Sequence, residues 1–126
     1  MEDIIKVAND VLAKYMNAWI IQDYKTMKEN SQITWKLDGH PQQSAEEWLL
    51  REYYPRAISS WKIMKYDIEN CTIVFNVKVS RVINNDQKRI SARVICENDK
   101  YTPSRNGKWG VNPISCVRKW SIYNAR

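Results

Sequence analysis

The sequence predicts a mixed α+β fold, with a helical N-terminal third leading into a curved antiparallel sheet. Three observations predict it. Apolar residues recur at the i, i+3, i+4, i+7 spacing of an amphipathic helix over residues 3–20. From Ile58 the apolar period changes from 3.6 to 2, the alternation of a half-buried strand. Short turn-forming clusters then separate the alternating stretches, which favours antiparallel pairing of sequence neighbours. A chain of 126 residues fits one domain over residues 1–126, since a second core would be too small to hold.

Each element follows from its own residues. Ile4, Ala8, Val11, Leu12, Tyr15, Ala18 and Trp19 make the apolar stripe of the first helix, with Lys6, Asn9, Asp10, Lys14 and Asn17 on its other faces. Gln22-Asp23 breaks the rhythm, and Asp23 is placed to cap a short second helix carrying Tyr24 and Met27. Residues 32–37 are rich in β-favouring side chains and predict an extended piece. Asp38-Gly39-His40-Pro41 is turn chemistry. Ser44 and Glu47 have the spacing of a capping box and open a third helix, with Trp48, Leu49 and Tyr53 as its stripe, ending before Pro55.

Residues 58–68 read as a strand with Trp61 and Ile63 on one face and Met64, Tyr66 and Ile68 on the other. Glu69-Asn70 turns the chain. Residues 71–82 alternate, with Cys71, Ile73, Phe75, Val77 and Val79 on the apolar side and Thr72, Asn76, Lys78 and Ser80 opposite. The pattern inverts at Arg81-Val82, which predicts a bulge there. After the turn Asn84-Asn85-Asp86, residues 88–97 alternate again. Residues 108–117 predict a last strand, kinked at Asn112-Pro113. Such sheets have one apolar face, which the helices should cover.

Composition narrows the function classes. No apolar run approaches the ~20 residues of a membrane span. The N-terminus carries Glu2 and Asp3 where a secretory signal needs positive charge, so a cytoplasmic location is expected. Cys71, Cys96 and Cys116 lie far apart in strand-like stretches and read as small buried apolar residues. One histidine and three scattered cysteines assemble no zinc site, and three glycines build no phosphate loop. No metal or cofactor is expected. The net charge of +6 raises nucleic-acid binding, but the 20 Lys and Arg are spread along the chain, with Lys88, Arg89 and Arg93 as the densest group. Solvated faces account for most of that charge.

The run Tyr15-Met16-Asn17-Ala18-Trp19 into Asp23-Tyr24-Lys25-Thr26-Met27, then Gln32-Ile33-Thr34-Trp35, then Gly107-Lys108-Trp109-Gly110-Val111, resembles the nuclear transport factor 2-like superfamily. That group includes ketosteroid isomerases, polyketide cyclases and scytalone dehydratase. The resemblance implies a cone of three helices laid into a bent sheet of the cystatin-like α+β roll kind, around a pocket. It also implies candidate site residues. Tyr15 lies eight residues before Asp23, the spacing at which the isomerases place an oxyanion donor, although packing alone explains an aromatic there. The family's general base falls on Leu37, so Asp38 misses it by one residue, and the partner acid on a late strand has no match. His40 beside Asp38 offers the dehydratase type of acid–base pair.

Two functions follow as expectations. The first is a non-catalytic ligand-binding or assembly module. Its pocket would be lined by Tyr15, Trp19, Trp35, Trp48, Tyr53 and Trp61, would take a hydrophobic small molecule, and would pair into a homodimer through a sheet face carrying Asn76, Lys78, Ser80, Ser91 and Arg93. The alternative is a small isomerase, cyclase or dehydratase using Tyr15 with Asp38 or His40. The first is favoured, because a proton shuttle without a placed base is a poor catalyst.

Overall fold

The structure is a computed structural model and describes residues 3–37, 42–98, 100, 102–104 and 106–120. The helices α1 (Ile4–Ile21), α2 (Tyr24–Glu29), α3 (Ile33–Leu37) and α4 (Gln42–Tyr53) come first, and a 3-10 turn at Tyr54–Arg56 ends the helical part. The strands β1 (Ile58–Glu69), β2 (Thr72–Arg81), β3 (Gln87–Glu97) and β4 (Lys108–Val111) follow, and α5 (Pro113–Val117) closes the described chain. The strands form one open antiparallel sheet in the order β1-β2-β3-β4. Among the described residues, no helix is long and apolar enough to cross a membrane.

The helix ends are set by local chemistry. The Asp3 carboxylate accepts from the Ile5 and Lys6 amides and starts α1. Gln22 ends it in the left-handed region, with φ 61°. The Asp23 carboxylate then accepts from the Thr26 amide at 3.1 Å and the Thr26 hydroxyl at 2.6 Å, the predicted cap of α2. Those bonds hold the Asp23 carboxyl below its ordinary value. Two expectations move at the next elements. Residues 33–37 are helical, not extended. Ser44 lies inside α4, which begins two residues earlier at Gln42, and so is not its cap.

The alternation of β2 and β3 is as predicted. Ile73, Phe75, Val77 and Val79 of β2 and Ile90, Ala92, Val94 and Cys96 of β3 are buried together under the helices. The three cysteines are free and buried. In β1 the two-faced reading is corrected. Trp61 pairs with Val79 and Ile63 with Val77, but Lys65 pairs with Asn76 and Tyr66 with Phe75. Met64 is the extra residue, so the bulge restores Tyr66 and Ile68 to the same face as Trp61 and Ile63. The second irregularity is at Ser59 of β1, opposite Arg81, and not on the β2 strand at Arg81-Val82.

Residues 30–32 run beside β4. The Val111 amide donates to the Asn30 carbonyl and the Gln32 amide donates to the Val111 carbonyl, both at 2.8 Å. A glycine is needed where they pass. A Cβ at Gly110 would stand 2.6 Å from the Ser31 carbonyl carbon and oxygen. Glu97, 3% exposed, then reaches the start of α3, accepting from the Thr34 amide, the Thr34 hydroxyl and the Gln32 side-chain amide. A carboxylate at a helix N-terminus stabilises it, which is why β-favouring residues fold into a turn of helix. Backbone atoms cannot rotate away as a side chain can, so Gly110→Ala is expected to cost about 3 kcal/mol. Urea denaturation of the variant against the parent chain measures it.

Candidate functional site

The interior between helices and sheet is built from aromatic rings. Tyr15 and Trp19 come from successive turns of α1, and Trp48 and Tyr53 come from α4. Trp19 meets Tyr53 edge-on with centroids 4.7 Å apart, and Tyr15 meets Tyr53 at 6.0 Å. Trp48 stands 6.5 Å from Tyr53 and 5.2 Å from Trp35 of α3. Each such pair adds about 1 kcal/mol beyond the area it buries. The structure thus brings five of the six expected lining residues into one ring-on-ring cluster, with Tyr15, Trp19, Trp35 and Tyr53 buried. Trp61 stands apart on β1, half-buried, its indole donating to Asn17 at 2.8 Å. Asp38 and His40 lie outside the described residues.

The Tyr15 phenol has a partner. It donates to the Tyr53 hydroxyl at 2.7 Å, and Tyr53 donates to the Pro113 carbonyl at 2.6 Å. Burial pushes the Tyr15 and Tyr53 phenols well above their ordinary value. The neighbouring Cys116 thiol is pushed up to about 12, again by burial first. This polar line ties α1, α4 and α5 together inside an apolar surrounding.

It exists because the chain does not continue as a strand after Val111. The expected strand over residues 108–117 is corrected: β4 stops at Val111. The Asn112 side chain accepts from the Ile114 and Ser115 amides and caps α5, with Pro113 as its first residue. That sequence carried the signal, since Asn followed by Pro is a helix start as well as a kink. The Ser115 hydroxyl accepts the Arg93 amide at 3.0 Å at the edge of β3. Arg56 holds the end of the segment through its guanidinium, which donates to the Trp120 carbonyl at 2.7 Å. Its own carbonyl accepts from the Trp19 indole.

With β4 short and α5 turned inward, the first half of β3 has an open edge. A groove of about 230 Å³ lies there, between Lys88, Arg89, Ser91 and Arg93 on one wall and Ser115, Arg118, Lys119 and Trp120 on the other. Five cations surround it, and no Asp or Glu is among the described lining residues. Arg93 pairs with Glu69 at 3.3 Å, whereas Lys88, Arg89, Arg118 and Lys119 make no ion pair among the described residues. Trp120 is 4% exposed, and Arg81 and Lys88 each stand 5.8 Å from its ring. Sequence reasoning saw Lys88, Arg89 and Arg93 as a modest cluster. It had no means of adding Arg118 and Lys119, which arrive only through the turn at Asn112. A second groove opens on the other side of the same segment, between Trp48, Glu52 and Arg56 of the helical part and Val117 and Lys119.

Two outcomes test the interior. Tyr53→Phe strands the Tyr15 hydroxyl and is expected to cost about 2 kcal/mol, while Tyr15→Phe leaves Tyr53 its carbonyl and costs about 1 kcal/mol or less. Urea unfolding of the two variants gives the order. The pH dependence has a definite sign. The buried groups have raised values in the folded chain, so their contribution is complete below the ordinary values of 9.0 for the thiol and 10.0 for the phenols. It is lost as pH rises through the folded values, because the unfolded chain ionises first. Stability is therefore expected to fall above pH 9, with Cys116→Ala removing the earliest part of the decline. Unfolding midpoints taken in steps above neutrality check it. Comparison of the chain with family models, with curated proteins and with solved structures finds no match.

Proposed function

We propose that the chain is a non-catalytic binding module whose ligand is anionic and sits in the groove at the β3 edge. The observation that carries this is the set of four cations that make no ion pair among the described residues, Lys88, Arg89, Arg118 and Lys119, around one groove whose described lining holds no acid. A concave surface lined by one sign of charge focuses its field and draws in ligands of the opposite sign. The Ser91 hydroxyl on the wall adds an oriented polar contact of the kind that fixes a bound carboxylate or phosphate.

The order of elements supports the nuclear transport factor 2-like reading of the fold, with its helices laid against a sheet. The ligand position differs from the one that reading implies. The aromatic residues expected to line a pocket pack against one another, and Tyr15 donates to Tyr53. An oxyanion donor must be aimed at the reacting atom, and this phenol is aimed at a neighbour. Catalysis by acid–base transfer is accordingly the weaker reading.

Nucleic acid is also disfavoured as the ligand. Single strands are held by exposed aromatic faces between the cations, and the one aromatic among the groove's described lining residues, Trp120, is buried. A ligand with carboxylates or phosphates on a small frame fits the volume better.

Isothermal titration of a Glu-rich peptide and of inorganic pyrophosphate, in separate runs, tests the proposal. At least one is expected to bind, and the affinity should fall steeply with added salt. The double variant Arg118→Glu, Lys119→Glu should weaken it by about tenfold or more, with an unchanged melting temperature. No binding of either probe at low salt, or binding indifferent to both reversals, overturns the proposal.

A further inference from the structure

We propose that the chain pairs with a second copy of itself through the open edge of β1, antiparallel and in a single register, with Tyr66 on the two-fold axis. The proposal rests on β1 alone and is independent of the groove.

The edge is available. β1 is an outer strand of the sheet, and no described residue hydrogen-bonds to its free side between Ser59 and Glu69. Its backbone orientation follows from the ladders. The Cys96 amide donates to the Cys71 carbonyl on the β2 side, while the Arg93 amide turns the other way, to Ser115. Even-numbered β3 residues therefore face β2, where they meet Ile73, Phe75 and Val77. Val74 and Asn76 are left to face β1, and their partners there are Asp67 and Lys65. Alternation along a strand then points the N–H and C=O of Tyr66 and Ile68 into the open edge.

An unpaired edge of this kind accepts another strand through backbone bonds alone. The side chains choose which. Lys65 and Asp67 point to the same face of β1, both exposed and without an ion pair among the described residues. Pairing identical strands across a two-fold axis matches each residue with its mirror position about the centre. Beyond the bulge at Met64, registers that keep outward-facing residues opposite one another step by whole residues of the centre. Centred on Lys65, two lysines face each other. Centred on Asp67, two aspartates do. Centred on Ile68, Asp67 faces Glu69. Centred on Tyr66, Lys65 faces Asp67 of the copy, and Asp67 faces its Lys65. Of these four centres, only the last has opposite charges at the closest cross-strand positions, and symmetry provides it twice.

The same register covers the exposed apolar side chains of β1. Tyr66 and Ile68 are each 45% exposed although they lie on the apolar face of the sheet, and Met64 at the bulge is 38% exposed. Centring on Tyr66 sets Met64 opposite Ile68 of the copy and brings the two Tyr66 side chains together. The dimer joins two four-stranded sheets into one continuous sheet.

Sedimentation analysis of the full chain, from micromolar to submillimolar concentration, tests this. A reversible dimer is expected. Lys65→Asp and Asp67→Lys should each raise its dissociation constant by about tenfold or more, since each substitution strikes two symmetric pairs. The double variant carrying both exchanges should restore it, because the reversed charges again face each other. Lys78→Glu, on the polar sheet face, should leave it unchanged and so separates the edge from that face. A chain monomeric throughout overturns the proposal. So does a dimer that ignores the single reversals, that the double exchange fails to restore, or that Lys78→Glu disrupts.

Discussion

The hydrogen-bonded line from Tyr15 through Tyr53 to the Pro113 carbonyl fixes how the last part of the chain meets the first. Two phenols and a carbonyl sit where no water reaches them, and each must find its partner inside the protein. α5 satisfies the last of them by bringing the Pro113 carbonyl to the Tyr53 hydroxyl. That placement stops β4 at Val111, turns the segment toward the helices and leaves the first half of β3 without a strand beside it. The open edge, the groove and its ring of cations all descend from this. A longer β4 would have covered the edge of β3 and carried residues 113–117 away from Tyr53.

The aromatic cluster around that line gives it rigidity. Trp19 bridges Tyr53 and Trp120, at 4.7 and 5.9 Å, and its indole is held by the Arg56 carbonyl. Arg56 in turn grips the Trp120 carbonyl. Helix, 3-10 turn and C-terminal segment are thereby locked into one unit, with Arg118 and Lys119 carried on its surface. Five of the residues expected from sequence to line a ligand pocket pack against one another here. Large rings with polar tips do this well, since they fill volume and still satisfy their own hydrogen bonds.

Legibility from sequence followed the range of the interactions involved. α1 and α2 were legible because the stripe of the first and the cap of the second, Asp23, lie within a few residues. β2 and β3 were legible because alternation is a local pattern. α3 was not, since its stabilising carboxylate belongs to Glu97, more than sixty residues away. The faces of β1 were not, since a bulge at Met64 shifts the parity without leaving a mark in composition. At Asn112-Pro113 the residues supported a helix start and a kinked strand alike, and the local pattern could not choose between them. Of the groove, only Lys88, Arg89 and Arg93 stood out as a group in the sequence.

By itself the amino-acid sequence determined the class of fold, the helices-first order, the apolar faces of the central strands and the burial of the cysteines. These depend on periodicity and capping, which act over one or two turns. Tertiary structure alone decided where the chain's positive charge collects, what the Tyr15 phenol touches and which strand edges stay open. Those outcomes depend on distant segments meeting, and a hydrogen bond between residues 53 and 113 has no local signature from which it could be read.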